Sequence, residues 1–488
     1  MSNVIKLDML INNSSVRSSD YLKVYDPGRL SELVGEVAVG TARHADEAVV
    51  AAHAAFQSWR NAPVSERIER LMAAADAVEH ISDQLSTTLV REQGMLLRET
   101  QRDVNNGIKS LREVAELAKG FLTPEQFEDD DSLVRVEKVP RGVVAAIVPW
   151  NAPMGLTMGK VGPALVTGNT VVVKPSSFAP LAVSQALKVM STFFPPGAIN
   201  VVYGETDVAS TLTHHPQVRQ ISFTGGTTTG RAVMAAAAQS IKNLNLELGG
   251  NDPAIILDDA DPALVAPELI KGIFPRSGQV CYAIKRVYVP TAMMPAFFES
   301  LCAVADRYQV GYGLDPRSTF APMNNRGQYD FVRGLIDRSR KAGATVSELG
   351  AKLEPDEWDN GLYVLPTVIK DLSPTDELVI SEQFGPVIPL VAYDSEEQAL
   401  NMANNTEYGL ASSIWTSDPD RGLRMSGRIE AGVTFINSHA RTALGERHMP
   451  FGGVKQSGIG RVRTSVGLAE YIEYHAISLN KSSCRAAV

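Results

Sequence analysis

Apolar positions between Ala45 and about Gly120 recur every three or four residues: Ala48, Ala51, Ala52, Ala55, Phe56 and Trp59, then Ile68, Leu71 and Ala75. That period puts them on one face of a helix, so the region is predicted to be helical. Between Pro124 and Pro140 the rhythm changes. The acidic run Glu128 to Asp131 leads into Leu133-Val134-Arg135-Val136, an alternating segment predicted to be an exposed strand joining two larger units. From Gly142 to Leu257 short β-branched runs alternate with Ala-rich amphipathic stretches. Strands are predicted at Val143–Val148, Val171–Lys174, Ile199–Tyr203, Gln220–Thr224 and Asn243–Leu248, with helices at Leu181–Phe193, Val208–His214 and Thr228–Ser240 between them. Such alternation predicts a parallel sheet with crossover helices and a ligand crevice at its strand ends. A second α/β pattern runs from about Pro253 to Thr434, with strands such as Val287–Val289 and Val387–Val391 and helices such as Met293–Arg307 and Gly327–Lys341. The tail from Gly467 to Leu479 alternates again, is too short for a domain, and is expected to pair with a sheet edge.

With 488 residues, 44% of them hydrophobic, the chain should fold into two or three packed units. A net charge of −9 and the lack of a Lys/Arg-rich tract argue against a nucleic-acid partner. The three cysteines, Cys281, Cys302 and Cys484, are too few and too scattered for a disulfide framework or a paired metal-ligand pattern, so no metal is expected. Met1 to Leu10 holds one lysine and no apolar run, and no stretch reaches the ~18 apolar residues that span a bilayer. A cytoplasmic protein with no membrane partner is expected.

Four segments could carry chemistry, and each has a plainer reading. Cys281 follows Ser277-Gly278-Gln279-Val280 and precedes a strand, as an exposed nucleophile would; a buried structural cysteine would look the same. Cys302 lies on an apolar helical face. Glu247, in Leu246-Glu247-Leu248-Gly249-Gly250, is either a general base with a pKa raised by burial or an edge-strand carboxylate facing water. Phe223-Thr224-Gly225-Gly226-Thr227-Thr228-Thr229-Gly230 reads as strand, Gly-rich turn and helix start, suited to a pyrophosphate or simply a tight turn. Asn151, in Pro149-Trp150-Asn151-Ala152-Pro153, offers an amide to an oxyanion or ordinary turn chemistry.

Together these segments resemble the aldehyde dehydrogenase superfamily from about Tyr25 to Leu479, and the matching pieces come in the family's order. Besides those above they are Val173-Lys174-Pro175-Ser176, Pro366-Thr367, Glu382-Gln383-Phe384-Gly385-Pro386 and Pro450-Phe451-Gly452-Gly453-Val454-Lys455-Gln456-Ser457-Gly458. Glu247 and Cys281 stand 34 positions apart, as in the hydrolytic, non-acylating branch. The resemblance implies an α/β chain of the aldehyde dehydrogenase fold. Its Rossmann-like cofactor domain would be 1–121 with 141–248, its α/β catalytic domain 249–466, and its small β oligomerisation element 122–140 with 467–488. It implies oxidation of an aldehyde to a carboxylic acid through a thioester on Cys281, with the oxyanion held by Asn151, water activated by Glu247, and Lys160 on the proton path. The cofactor would be NAD or NADP, NAD being favoured. Lys174 would hold the adenine-side ribose, Gly225 would border the pyrophosphate, Glu382 would hold the nicotinamide-side ribose, and Phe384 would pack beside the nicotinamide. Trp150, Ser176, Ser177, Gly226, Gly230 and Leu248 complete that pocket. Ala152, Gly155, Leu156, Gly159, Tyr282 and Arg441 would line the substrate tunnel.

Four departures bear on the transfer. Ser177 stands where NAD-preferring members often have a glutamate, and Gly226 where a serine is common. Val462 replaces a glutamate thought to join Lys160 in the proton path. Ala152, Gly155 and Gly159 replace bulky tunnel residues, which predicts an aromatic or medium-to-long aliphatic aldehyde; the loop Ser438 to Met449 is longer than in many members. A CoA-acylating aldehyde dehydrogenase, a thiol esterase and a non-enzymatic structural role are the competing readings. A homodimer or homotetramer is expected, because Leu133–Val136 and Tyr471–Leu479 would otherwise leave open edges, with Glu473 and Arg461 as candidates to tie down the tail.

Overall fold

The computed structural model describes residues 4–440 and 448–481. Five parallel strands form the centre of an eight-stranded sheet: Asn243–Glu247, Val218–Thr224, Val143–Ile147, Thr170–Lys174 and Ile199–Val201, side by side in that order. Thr170–Lys174 is buried along its whole length, which is why its sequence is a continuous apolar run rather than an alternation. The helices Pro153–Val166, Leu181–Ser191, Thr206–His214 and Thr227–Ala238 make the crossovers. The ends of the last three lie within a few residues of those predicted, whereas Pro153–Val166 was not among the predicted helices. The first edge of the sheet was not foreseen: Gly458–Ile459, from within the expected catalytic unit, pairs antiparallel with Asn243–Glu247. At the other edge Met9–Ile11 and Ser14–Val16 join, and Ile5–Leu7, Tyr21–Asp26 and Arg29–Ala38 make a separate three-stranded sheet.

The helical region is four helices, Ala42–Trp59, Val64–His80, Ser82–Gln93 and Leu97–Phe121. The last buries Asp103, Val104, Gly107, Ile108, Leu111 and Val114 along one stripe. Gly107 lets it approach Pro153–Val166 closely, since a Cβ there would sit 3.1 Å from Met158 Cγ and 3.2 Å from the Met154 carbonyl.

A seven-stranded sheet carries the second half, in the order Thr345–Glu348, Thr367–Lys370, Val387–Tyr393, Ile284–Pro290, Asp252–Ile256, Ala411–Trp415 and Val433–Ile436; every neighbouring pair is parallel except the first. The predicted helices appear as Met294–Ala305 and Arg326–Lys341. The tail strand Ile472–Asn480 pairs antiparallel with Ser132–Pro140, which also pairs with Glu125–Glu128. Leu133–Val136 therefore lies on a central strand of this three-stranded sheet. The tail is not tied by Glu473 to Arg461: Glu473 faces Arg141 at 3.5 Å, and Arg141 Nε donates to the Glu470 carbonyl. Among the described residues no helix is long and apolar enough to cross a membrane.

Candidate active site

Cys281 follows a sharp turn, Pro275–Gly278, in which Arg276, Ser277 and Gly278 have φ of 52°, 56° and 76°. Only glycine takes this left-handed backbone without cost, so two side chains are held there against strain of about 1–2 kcal/mol each. The ties that hold them are visible. Arg276 N donates to Glu99 Oε1, Ser277 Oγ donates to the Ala321 carbonyl at 2.7 Å, and Gln279 Nε2 donates to the Arg276 and Pro322 carbonyls. A Cβ on Gly278 would run into the Gly385 backbone, so glycine is also required for contact with the Glu382–Pro386 segment.

Asn151 is buried, and its amide donates to the Gln279 carbonyl at 3.1 Å, two residues before Cys281. Its own carbonyl accepts from Arg276 Nη1 at 2.6 Å, while Arg276 Nη2 meets the buried Asp103 at 3.1 Å. Asp103 in turn accepts from the Met154 and Gly155 N–H groups at the start of Pro153–Val166. Gly250 brings the strand end after Glu247 to the same place: a Cβ on it would lie 2.9 Å from the Cys281 carbonyl.

Glu247 is 6% exposed, and neither carboxylate oxygen has a hydrogen-bond partner among the described residues. Burial raises its pKa, opposed chiefly by Lys160 and then by Arg461 and Arg463. Burial lowers the pKa of Lys160, with Glu247 opposing. Lys160 Nζ donates to Ser222 Oγ at 3.0 Å, which also accepts from Tyr471 OH at 3.1 Å. Cys281 is half-buried, and burial pushes its thiol up to about 12 while Lys285 pulls it down.

Lys285, Arg276, Asp103 and Ser222 escaped the sequence reading. Lys285 is 2% exposed; its ammonium donates to the Val280, Cys281 and Ala283 carbonyls and lies 3.7 Å from Glu382 Oε1. The signal was available, because a lysine and an arginine inside the fully buried strand Ile284–Pro290 demand partners. Glu382 Oε1 also accepts from Gly250 N, and a Cβ on Gly249 would strike the Glu382 carboxylate.

The turn Gly225–Gly226 opens the helix Thr227–Ala238, and no side chain caps that helix, leaving its first N–H groups available to an anion. A Cβ on Gly226 would meet nothing within 4 Å, and Thr224 Oγ1 is buried without a partner among the described residues. Gly230 and Leu248 pack on each other, a Cβ on Gly230 falling 2.8 Å from Leu248 Cδ1, so this pair sets the approach of helix to sheet. Trp150 and Phe384 stand edge to face with centroids 5.5 Å apart. Lys174 ends its strand nearly buried, Ser176 Oγ accepts from Phe178 N, and Ser177 Oγ donates to Glu205 Oε1.

Ala152, Gly155, Leu156 and Gly159 share a half-buried face of one helix. Only part of the room expected there exists. Gly159 faces open space, but a Cβ on Gly155 would lie 3.1 Å from Asp103 Oδ1, so the Asp103–Arg276 pair occupies the place of the missing side chain. Tyr282 packs edge to face on Phe451 at 5.5 Å, and its carbonyl meets His439 Nε2 at 2.5 Å. Arg441 and Cys484 lie outside the described residues.

The architecture is α/β, with two large, mainly parallel sheets, and the loop that carries Cys281 meets Asn151 and the strand extension after Glu247. The chain belongs to the aldehyde dehydrogenase family, whose model matches residues 15–477. It is similar to a mitochondrial succinate-semialdehyde dehydrogenase of Arabidopsis thaliana, at 35% identity over 98% of this chain and 90% of that one. It is also similar to an aldehyde dehydrogenase of Didymella fabae, at 33% identity over 92% and 90%. Among solved structures it superposes on betaine aldehyde dehydrogenase from Staphylococcus aureus in complex with NAD+ with a TM-score of 0.92, at 30% identity over 97% of this chain and 95% of that one.

Proposed function

We propose that the chain oxidises an aldehyde to the carboxylic acid with NAD(P)+ through a thioester on Cys281 that water hydrolyses. The observation that carries this reading is Glu247: a buried carboxylate with both oxygens unengaged among the described residues, on the strand whose Gly249-Gly250 extension touches the Cys281 backbone. The Cys281 thiolate adds to the aldehyde carbon, and the amide of Asn151 with the Cys281 N–H takes the charge that develops on oxygen. A bound nicotinamide supplies the acceptor for the hydride whose departure leaves the acyl thioester. Glu247 then removes a proton from water as it attacks that carbonyl; the C–S bond breaks, and carboxylate and thiol are released. Lys160, Ser222 and Tyr471 form the hydrogen-bonded chain behind Glu247, in the region where Val462 supplies no carboxylate.

The residues present suit the dinucleotide: the uncapped helix after Gly225–Gly226 for the pyrophosphate, Lys174 and Glu382 for the riboses, Trp150 and Phe384 for the nicotinamide. The open space at Gly159 and the Tyr282–Phe451 pair support an aromatic or medium-to-long aldehyde. The Arabidopsis relative, a succinate-semialdehyde dehydrogenase, favours a second reading in which the aldehyde bears a carboxylate. A CoA-acylating enzyme or an esterase would leave either the buried base or the dinucleotide residues without a purpose. We read the chain as an oligomer of a reducing compartment, the cytoplasm, with residues 1–121 and 141–248 binding the cofactor, 249–466 carrying the thiol, and 122–140 with 467–488 joining subunits.

The test is a panel of acetaldehyde, hexanal, benzaldehyde and succinate semialdehyde, each with NAD+ and with NADP+. Reduced cofactor should form, with hexanal or benzaldehyde ahead of acetaldehyde, and Cys281→Ser should abolish it. Turnover by Cys281→Ser would refute the assignment, and preference for acetaldehyde would refute the roomy tunnel.

A further inference from the structure

The strands Thr170–Lys174 and Ile199–Val201 run parallel with Val173 opposite Val201, so the loops that leave their carboxyl ends emerge side by side. The first loop carries Ser176 and Ser177. The second ends at Glu205, which precedes the helix Thr206–His214. Glu205 is the N-cap residue of that helix and its side chain makes no cap hydrogen bond. Its Oε1 instead accepts from Ser177 Oγ at 2.7 Å, which fixes the charge across the gap between the two loops. Lys174, at the end of the first strand, is desolvated and feels Glu205 first and Asp207 second. The corner thus holds one ammonium against two carboxylates and is net negative, with Glu205 exposed at its lip.

In an open parallel sheet a dinucleotide lies along the carboxyl ends of the strands, where a carboxylate accepts from a ribose 2′-hydroxyl and a cation is needed for a 2′-phosphate. We propose that Glu205, aimed by Ser177, selects NAD over NADP: the carboxylate accepts a hydrogen bond from the adenine-side ribose and repels a 2′-phosphate. The inference rests on the dehydrogenase reading above. Ser177 cannot itself repel a phosphate, and on its own side chain would leave both cofactors admissible. The second loop supplies the missing charge from a position some thirty residues further along, where a motif reading does not look.

Equilibrium binding without aldehyde, followed by quenching of intrinsic tryptophan fluorescence, tests this apart from turnover. The native chain should bind NAD+ roughly tenfold or more tightly than NADP+, as one unscreened like charge near a surface implies. Glu205→Gln should bring the two affinities within about threefold by tightening NADP+, and Glu205→Arg should invert the order. A native chain that binds NADP+ as well as NAD+, or a preference unchanged in Glu205→Gln, would overturn the proposal. Binding of neither dinucleotide would overturn the dehydrogenase reading and this one with it.

Discussion

At the scale of single residues the site is a set of buried charges whose neighbours decide what each can do. Glu247 illustrates the sign. Burial raises its pKa, so it stays protonated to higher pH than an ordinary carboxylate, and the base role proposed for it requires a pH above that point. Turnover limited by hydrolysis of the thioester should therefore fall as pH drops through a midpoint well above 4.5, the carboxyl's ordinary value, and a pH profile of kcat checks it. Lys285 should act on the thiol, because its ammonium binds the Cys281 carbonyl and lowers a thiol that burial raises. Lys285→Met should slow alkylation of Cys281 by iodoacetamide at pH 8 roughly tenfold and move its pH profile upward; Lys285→Arg should restore part of it. An unchanged profile in Lys285→Met would remove Lys285 from the account. Cys281, Glu247 and Asn151 stand out in sequence as candidates because their residue types match the proposed chemistry and their flanking sequences are ordered motifs. Lys285 and Asp103 do not, since their partners lie on other elements: Asp103 meets Arg276 across 173 positions of sequence.

At the scale of elements, two helix starts are held by carboxylates from other helices rather than by their own caps. Glu92, fully buried, accepts the Leu181 and Ala182 N–H groups at 2.6 and 2.8 Å and thereby satisfies the start of Leu181–Ser191. Burial pushes its carboxyl up to about 8. Because the folded state holds that proton more tightly than the unfolded one, this group's contribution to stability declines as pH rises from about 4.5 to 8. Glu92→Ala should cost about 1–3 kcal/mol in urea unfolding through two orphaned donors; no loss would show that water satisfies them. Asp103→Asn should lower kcat more than it raises KM, because Arg276 would lose the partner that steadies it on the Asn151 carbonyl. The parallel strands of the first sheet were readable because short β-branched runs alternate with Ala-rich amphipathic stretches. The N-terminal strands Ile5–Leu7, Met9–Ile11 and Ser14–Val16 were not, because three-residue strands carry too little periodicity, and the first two owe their place to partners further along the chain.

At the scale of the whole molecule the expected tail pairing is present, since Ile472–Asn480 lies along Ser132–Pro140 over nine consecutive positions. The sheet they form leaves Phe127 and Tyr474 each 62% exposed, and Leu479 stands open beside them. Exposed apolar side chains on a sheet with free edges argue for burial against another copy. Light scattering at micromolar concentration should give two or four times the chain mass, and a single chain mass would contradict it. Folding also brings three distant stretches of chain together, with the Asn151 amide on the Gln279 carbonyl and the Gly249-Gly250 extension of the Glu247 strand against the Cys281 backbone, and the thioester cycle proposed above draws on all three. The most direct test of that cycle is rapid mixing of Glu247→Gln with saturating aldehyde and cofactor. One equivalent of reduced cofactor per site should appear in a burst, followed by slow turnover and an acyl adduct on the Cys281 peptide. Steady turnover at the native rate, or uniformly slow reduction with neither burst nor adduct, would contradict the account.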